Sequence, residues 1–555
     1  MLFRSYTFQG SGSFAGPGSL TYKGSAQFTI NNANTYSGGT LISNATANIR
    51  LGNLKGLGTG PITLAQGQMS ILVAASASTG IASDLIVADN FTLVVDPVDT
   101  AYAVVLNGSL SGTSGKMLTM NHGSNGSGTN VTRIRASGPN TVYDANLNLN
   151  DSTFLWACYQ SSPSTYNGVI SGTGAVMQKS STTYLNGANT YSGGTTPAAG
   201  SIGLGIDSVS SSPPAVDSGP IGTGPLLLIN DSTTSLTGSG TIFASGGPRT
   251  IANLIQCPTG SNNLTLVIGG TNDLTLSGAF SLNGNDGGGA GVNRIIQADA
   301  FTTLSGVISD GGLGVGLIKT GTNVLALNNT ETYTGPTIIS NGTLQVNGSL
   351  AAGSAVTVAT NGNLGGTGTV GGNVTVNQGG AIAPGDSIGT LAVSGNLAIN
   401  GDLKIEVNRA GSTSDKANVG GTLSNTGNGT VKVSNLGAAL QVGDAFTLFN
   451  KPMTGGGTMK VVGGGVVWNN QLAINGTIVV ASTGGPTLSS TFVSPTLTLN
   501  WPAGYLGWLL QSNSVSVAST NWSTVPNSGN ATSFAATIDT TKANGVFFRL
   551  IEPQP

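Results

Sequence analysis

The chain has 555 residues, of which 87 are glycine and only 7% are charged, and its formal net charge is −2. The glycine share is about twice, and the charged share about a third, of what globular domains usually carry. Its 19 lysine and arginine residues are scattered, which argues against the basic surface that nucleic acid or an acidic membrane requires. No apolar run is long enough to span a bilayer, so membrane insertion is not expected. Because disorder needs lower hydrophobicity and higher charge, an elongated repeat architecture is predicted.

A nonamer recurs three times along the chain. It reads NANTYSGGT at 32–40, GANTYSGGT at 187–195 and, more degenerate, NTETYTGPT at 329–337. The repeat-defining residues are Tyr36, Tyr191 and Tyr333, and a lysine precedes each copy, namely Lys23, Lys179 and Lys319. After the first two copies comes an echo, GTGPITL at 58–64 and GTGPLLL at 222–228, which predicts a turn followed by a short strand.

Short bursts of alternating apolar residues appear between residues 350 and 410. They are Val356/Val358, Val374/Val376, Leu391/Val393, Leu397/Ile399 and Leu403/Ile405/Val407. Glycine and asparagine bound each burst, which is typical of strands and turns. The recurrence predicts coils that stack as a parallel β-solenoid, with inward aliphatic columns and asparagine ladders at the corners.

The chain resembles a known repeat family at these motifs. The lysine–NTYSGGT unit, the strand at Gly342–Leu344 and the block GGTGTVGGNVTVNQGGAIAPGDSIGTL at 365–391 look like the autotransporter-associated β-strand repeat of bacterial passenger domains. That resemblance implies a right-handed parallel β-helix over residues 1–482, at the cell surface of a bacterium or outside it. We find no strands typical of a translocator barrel, so the chain is most similar to secreted repeat proteins without one. The N-terminal MLFRSYTFQG lacks the apolar core of a signal peptide, so the leader is expected to be absent from this chain.

The composition changes after residue 482. Residues 483–487 are predicted to form a linker and residues 488–555 a small antiparallel β-sandwich. This segment holds three of the five tryptophans, Trp501, Trp508 and Trp522. Exposed tryptophans could contact a glycan, but we favour a role in the core because two of them flank alternating apolar strands.

Acidic residues are the candidates for catalytic groups, should the protein be an enzyme. Parallel β-helices also house polysaccharide lyases and glycosidases, and a glycosidase needs two nearby carboxylates. The candidate pairs are Asp207 with Asp217 and Asp273 with Asp286, while Glu331 and Asp386 look like corner residues. Because most acids lie beside glycine, asparagine or serine, where aspartate forms turns, we predict no catalytic site.

Other site chemistry has little support in the sequence. His122 is the only histidine, which excludes a Ser-His-Asp triad elsewhere and most zinc sites. The loop at 284–291 lacks the repeated calcium-binding pattern, and the GxGxxG match at 366–371 leads into a strand rather than a helix. No cofactor or metal is therefore predicted, and pairing of Cys158 with Cys257 stays open.

The leading hypothesis is a non-enzymatic extracellular structural or adhesive rod that presents its C-terminal module. The alternatives are a carbohydrate-active β-helix enzyme and a carbohydrate-binding adhesin acting through residues 488–555. Open solenoid ends have unpaired strand edges, so the expected partners are further copies stacked end to end and a glycan or other cell-surface ligand.

Overall fold

The computed structural model describes residues 5–72, 80–95, 104–122, 132–136, 141–150, 153–158, 163–178, 180–228, 230–231, 236–237, 240–257, 264–283, 291–518, 520–538 and 545–551. The chain forms two compact units, Met1–Val315 and Gly316–Pro555. The fold is all-β, and in the described part of the chain the helical residues lie in four single 3-10 turns, Ala410–Ser412, Gly456–Thr458, Ala503–Tyr505 and Ser528–Asn530. Among the described residues, none of the helical segments has the length and hydropathy of a membrane-spanning helix.

The first unit consists of short strands joined by tight corners. In chain order they are β1 (Tyr6–Phe8), β2 (Leu20–Tyr22), β3 (Gln27–Ile30), β4 (Thr40–Leu51), β5 (Ile62–Ile71), β6 (Leu85–Val87), β7 (Phe91–Val95), β8 (Val104–Leu106), β9 (Leu110–Gly112), β10 (Met117–His122), β11 (Thr132–Ala136), β12 (Thr141–Tyr143), β13 (Asn146–Leu149), β14 (Thr153–Cys158), β15 (Ser164–Tyr166), β16 (Ile170–Gly172), β17 (Ala175–Gln178), β18 (Thr182–Leu185), β19 (Thr195–Pro197), β20 (Ser201–Leu204), β21 (Leu226–Leu227), β22 (Asn230–Asp231), β23 (Leu236–Thr237), β24 (Thr241–Ala244), β25 (Arg249–Ile251), β26 (Ile255–Gln256), β27 (Thr265–Ile268), β28 (Leu274–Leu276), β29 (Phe280–Ser281), β30 (Asn293–Ala298), β31 (Thr302–Leu304) and β32 (Ile308–Ser309).

These strands stack in parallel on separate faces. One face runs through β2, the first half of β4, the first half of β5, β6, β9, β12, β15, β18, β20, β24, β27 and β30. A second face runs from β1 through β3, β4, β5, β7, β10 and β13 to β16. A third face runs from β8 through β11, β14, β17, β19, β21, β26 and β29 to β32. The predicted parallel solenoid is therefore confirmed, with the hairpin β22–β23 as an antiparallel exception.

The core of the first unit is a set of columns in which equivalent side chains touch from turn to turn. Ile42, Leu64 and Val87 are register partners in successive strands, and all three are fully buried. The corners carry the predicted polar ladder, because the Asn167 Nδ2 donates to the Asp144 Oδ1 at 2.8 Å and the Asn186 Nδ2 donates to the Asn167 Oδ1 at 2.9 Å. Each turn is thus held to the next by backbone bonds, apolar contacts and corner amides.

The second unit begins with the same architecture and ends with antiparallel sheets. Its strands are β33 (Gly316–Thr320), β34 (Val324–Leu327), β35 (Thr337–Ile339), β36 (Gly342–Val346), β37 (Ser349–Leu350), β38 (Val356–Val358), β39 (Gly362–Gly366), β40 (Thr369–Val370), β41 (Val374–Val376), β42 (Ala381–Pro384), β43 (Thr390–Val393), β44 (Leu397–Ile399), β45 (Asp402–Asn408), β46 (Thr413–Ser414), β47 (Lys416–Val419), β48 (Leu423–Asn425), β49 (Thr430–Asn435), β50 (Ala445–Thr447), β51 (Lys460–Gly463), β52 (Val467–Gln471), β53 (Thr477–Ser482), β54 (Ser489–Val493), β55 (Thr496–Asn500), β56 (Leu509–Asn513), β57 (Ser523–Thr524), β58 (Ser533–Thr537) and β59 (Phe547–Ile551).

Three parallel faces form the solenoid part of this unit. They are β33–β35–β38–β41–β44–β48, then β34–β36–β39–β42–β45–β49–β51, and finally β37–β40–β43–β47. All five predicted apolar bursts are strands, but successive bursts do not always lie on the same face. Val374 pairs with Leu397 on the same face, whereas Leu391 belongs to β43 on another face. Turn length varies because corners accept extra residues without disturbing the strands.

The last solenoid turn is followed by antiparallel structure. Strands β50, β53 and β52 form one sheet, and the C-terminal segment forms two more, β54–β55–β58 and β57–β56–β59. The C-terminal strands share a cluster that includes Trp501, Tyr505 and Leu510, and Val467 of β52 belongs to the same cluster. The Lys460 Nζ also donates to the Asn530 Oδ1 at 2.6 Å. The predicted antiparallel sheets are thus present and pack on β52, while their arrangement as a sandwich and the domain limits at 483–487 stay predictions.

Candidate functional site

The three repeat tyrosines make the same contact. The hydroxyls of Tyr36, Tyr191 and Tyr333 each share a hydrogen bond with the threonine four residues later, at 2.6, 2.5 and 2.7 Å. All three rings are buried, and burial raises the pKa of each phenol. The recurring nonamer therefore encodes a buried tyrosine–threonine pair.

Each threonine of this pair bonds in turn to the neighbouring coil. The Thr40 Oγ1 donates to the Leu57 carbonyl at 2.9 Å, and the Thr195 Oγ1 donates to the Ile221 carbonyl at 3.1 Å. In the third copy the Thr337 Oγ1 bonds instead to the Ser354 Oγ at 2.8 Å. We call this tyrosine–threonine–next-coil chain the repeat lock.

The GTGP echo is the partner of the nonamer in the next coil. The amide of Thr59 donates to the Tyr36 carbonyl at 2.9 Å, and the amide of Thr223 donates to the Tyr191 carbonyl at the same distance. Beside them, Gly58 has a φ of +76°, and a Cβ there would lie 2.5 Å from the Tyr36 carbonyl oxygen. The two motifs recur together because one is packed on the other.

Two further residues of the nonamer bridge coils, and the sequence did not reveal them. The Asn34 Oδ1 accepts from the Phe14 amide at 2.9 Å, while its Nδ2 donates to the Gly56 carbonyl at 2.7 Å. Asn189 makes the equivalent pair of bonds, from the amide of Ile170 and to the carbonyl of Pro220, both at 2.7 Å. The recurrence of this asparagine was the only available signal.

The third copy departs from the first two. Its equivalent of Asn34 is Glu331, predicted as a corner residue and found almost fully buried. The lysines also differ, because Lys23 is exposed whereas the buried Lys319 Nζ donates to the carbonyls of Thr320, Gly321 and Asn341 at 2.7–3.1 Å. Lys179 lies outside the described residues.

The candidate catalytic acids that are described lie between strands, and their oxygens accept from backbone amides. The Asp207 Oδ1 accepts from the Thr250 amide at 2.7 Å, and the Asp217 Oδ2 accepts from the Ser211 amide at 2.6 Å. Hydrogen bonds from Ser211 hold the pKa of Asp217 below its usual value. The carbonyl of Asp273 accepts from the Arg249 amide, and Asp286 lies outside the described residues. The described ranges contain no group of three or more acidic, histidine or cysteine residues that could hold a metal ion.

A polar groove crosses one face of the second unit. It has a volume of about 340 Å³ and is lined by outward-facing residues of β36, β39, β42, β45 and β49. Gly365 and Ala383 are neighbours in register and form its floor, between Gln345 on one side and Lys404 on the other. The groove exists because these two small residues lie between longer side chains.

The loop after β42 forms one wall of this groove. It carries Asp386, which was predicted as a corner residue and whose Oδ1 accepts from the Gln345 Nε2 at 2.8 Å. Asp415 anchors the loop, since its carboxylate accepts from the amides of Gly389 at 2.9 Å and Glu406 at 2.7 Å. Burial raises the pKa of Asp415 to about 6, although the two hydrogen bonds act to lower it. The nearby charge of Glu406 adds to the rise.

The C-terminal tryptophans have three different environments. Trp501 is 4% exposed, and the half-buried Trp508 packs edge-to-face on Tyr505 with ring centroids 5.6 Å apart. Trp522 is also half-buried, and the Arg549 guanidinium lies 4.2 Å from the centre of its ring. Trp501 and Trp508 thus occupy the hydrophobic cluster, and a glycan contact through any of the three remains a prediction.

The remaining sequence candidates are structural or fall outside the described residues. His122 is the last residue of β10 and pairs with Val95. The GxGxxG match at 366–371 leads into β41, a strand as expected, and the Gly366 amide donates to the Gly385 carbonyl. Cys257 is buried, the side chain of Cys158 is not described, and residues 284–290 of the candidate calcium loop lie outside the described ranges.

Comparison with known families identifies the repeats. Three segments, 20–46, 180–201 and 317–346, match the model of the passenger-associated-transport-repeat. Each segment contains one nonamer and its buried tyrosine, so the resemblance to autotransporter passenger-type repeat proteins is confirmed. The matched segments make up well under half of the chain. No curated protein matches it.

Proposed function

We propose that the protein is a non-enzymatic structural passenger, secreted or displayed at a bacterial surface, whose solenoid carries the C-terminal module. The passenger repeat and the β-solenoid fit a rod-like passenger protein, and the repeat family implies secretion or surface display. The repeat lock is the observation that carries the proposal, since in all three copies the most distinctive residues join one coil to the next.

The acidic residues support the non-enzymatic part of this proposal. Asp207, Asp217 and Asp415 each use their carboxylate to hold backbone amides, which is the role expected of turn formers. A glycosidase needs carboxylates that face substrate and exchange protons with it.

Electron microscopy of the purified full chain tests the structural role. We expect thin particles many times longer than wide, because each coil adds about 4.8 Å along the stack. The same preparation should release no reducing or unsaturated ends from plant and algal polysaccharides. Globular particles would contradict the rod, and polysaccharide turnover would contradict the non-enzymatic assignment.

Self-assembly through the first coil is a finer part of the proposal. No described strand pairs with the outer edge of β1, and the nearby Tyr6 and Phe14 are 61% and 52% exposed. The other end of the parallel stack is followed by the β50–β53–β52 sheet, so we favour pairing of two chains over long fibres.

Sedimentation at increasing protein concentration tests this pairing. We expect reversible dimers that are lost in the double variant Tyr6→Ser, Phe14→Ser and kept in the control Val517→Ser, whose valine is exposed on the C-terminal module. A monomer at every concentration, or dimers unaffected by the double variant, would contradict pairing through the first coil.

A further inference from the structure

Neither the repeat lock nor the C-terminal module accounts for the polar groove of the second unit. Its five parallel strands give it a length of about 19 Å at four strand spacings. Its volume of about 340 Å³ lies within the range of small-molecule sites. A groove of this length suits a short chain-like ligand better than a single small molecule.

Two buried acceptor atoms in the groove have no hydrogen-bond partner. They are the Asn363 Oδ1 and the Glu406 Oε2, both on side chains that line the groove. The Asn363 Nδ2 lies 3.4 Å from the Thr343 Oγ1, so the amide has a weak contact on one side only. Because a buried acceptor without a donor is destabilising, both atoms favour a ligand that brings hydrogen-bond donors.

The groove also offers donors. Lys404 is exposed and pairs in register with Lys432, whose charge is met by Asp402 at 3.1 Å. No described carboxylate forms an ion pair with Lys404. The groove therefore presents an ammonium donor close to acceptors that lack donors.

The wall of the groove holds a strained residue. Ser387 follows Asp386 with a φ of +83°, a conformation that residues other than glycine rarely adopt. Asp415 fixes this loop through the amide of Gly389, and a Cβ at Gly385 would lie 2.7 Å from the Asp415 Oδ1. Strained backbone that is held by its surroundings clusters at binding sites.

We propose that this groove binds a short oligosaccharide non-covalently. Sugar hydroxyls both donate and accept, so they can satisfy the Asn363 Oδ1 and the Glu406 Oε2 and accept from the Lys404 Nζ. A cation fits less well, because Lys404 repels it and the described acids form no cluster suited to a metal. This inference goes beyond the structural role proposed above and does not depend on it.

Calorimetric titration of the full chain with short oligosaccharides tests the inference. The probes are oligomers of glucose, xylose, N-acetylglucosamine and galacturonic acid, each in buffer with EDTA. We expect at least one to bind with a Kd on the order of 1 mM or tighter. Asn363→Ala and Glu406→Ala should each weaken that binding by at least about tenfold, since each removes an acceptor from the site.

The matched control is Asn418→Ala, which removes an asparagine of β47 on another face of the same unit. It should bind the sugar like the parent chain, and circular dichroism should show that all variants keep their β-structure. No binding by any probe, or binding that the groove variants leave unchanged, would overturn the inference. In a separate titration without EDTA, binding of Ca²⁺ that needs Glu406, when no sugar binds, would overturn it in favour of a cation site. None of these outcomes would affect the elongated shape expected by electron microscopy.

Discussion

The solenoid and the C-terminal module are both built from short β-strands, but they are stabilised differently. In the solenoid, equivalent residues such as Ile339, Val358, Val376 and Ile399 form columns, so cohesion is spread evenly over many coils. In the module, one aromatic cluster around Trp501 holds two small antiparallel sheets. The described residues include three ion pairs, all partly exposed, so surface charge contributes little to either region.

The difference shows what low charge and high glycine content achieve. A stack of parallel coils satisfies the backbone between turns, and its corners need residues that tolerate close approach. A small antiparallel module has no stacked coils on either side of its sheets. Its stability therefore depends on large aromatic side chains. A destabilising substitution in the solenoid should therefore affect only nearby coils, whereas one in the core of the module should destabilise the whole module.

Trp501→Ala should have the largest effect, and it should be confined to the module. Loss of this buried side chain should cost about 3–5 kcal/mol, since it leaves a cavity in the one cluster of the module. Hydrogen exchange should show loss of amide protection in β54–β59 while the solenoid strands stay protected. The control Trp522→Ala should cost about 1 kcal/mol, because it removes mainly the contact with Arg549. Equal loss of protection in both regions would contradict their separate stabilisation.

Gly58→Ala and Gly115→Ala separate backbone strain from contact between coils. Their φ angles are +76° and +77°, so each substitution should cost about 1–2 kcal/mol of stability because alanine must adopt a left-handed conformation. A Cβ at Gly58 would also meet the Tyr36 carbonyl at 2.5 Å, whereas nothing lies within 4 Å of one at Gly115. We expect Gly58→Ala to cost about 1–3 kcal/mol more in denaturant unfolding. Equal costs would show that the echo does not pack on the nonamer.

Tyr191→Phe should weaken one repeat lock by about 1 kcal/mol. The substitution removes the hydroxyl that bonds to Thr195 but keeps the buried ring. The measurement is hydrogen exchange at the Thr223 amide, which donates to the Tyr191 carbonyl. Tyr184→Phe is the control, because this half-buried ring packs on Phe243 outside the lock. Faster exchange in the control than in Tyr191→Phe would count against the lock.

The pH dependence of local stability around Asp415 should be the most local effect. Its carboxylate borders the groove, so water screens part of the free-energy cost of burying the charge. Its pKa is about 6 in the folded chain and 3.8 in the reference state, so only the folded chain takes up this proton between those values. The local stability should therefore increase as the pH falls from 6 towards 3.8 and be lowest above 6. Exchange at the Gly389 and Glu406 amides, corrected for intrinsic rates, measures this. Asp415→Asn should abolish the dependence, and an unchanged dependence would assign it to another group.

The motifs that predicted the solenoid succeeded because they report on backbone geometry. Period-2 bursts such as Val356/Val358 identify strands, and the recurring nonamer marks equivalent coils, so the parallel stack follows from both. Turn length was less predictable, since β43 lies on a different face from β41 although the two bursts look alike. Corner loops vary without changing the apolar pattern that sequence analysis detects.

The sequence by itself determined the fold class and the repeat positions. Only the tertiary structure decided which motifs touch and which outward residues become neighbours. Asn363 lies on β39, whereas Lys404 and Glu406 lie on β45 in a later coil, and the three share no motif, yet stacking brings them into one groove. Inward residues must repeat because every coil packs on the next, whereas outward residues are under no such constraint, so their arrangement leaves no periodic signal in the sequence.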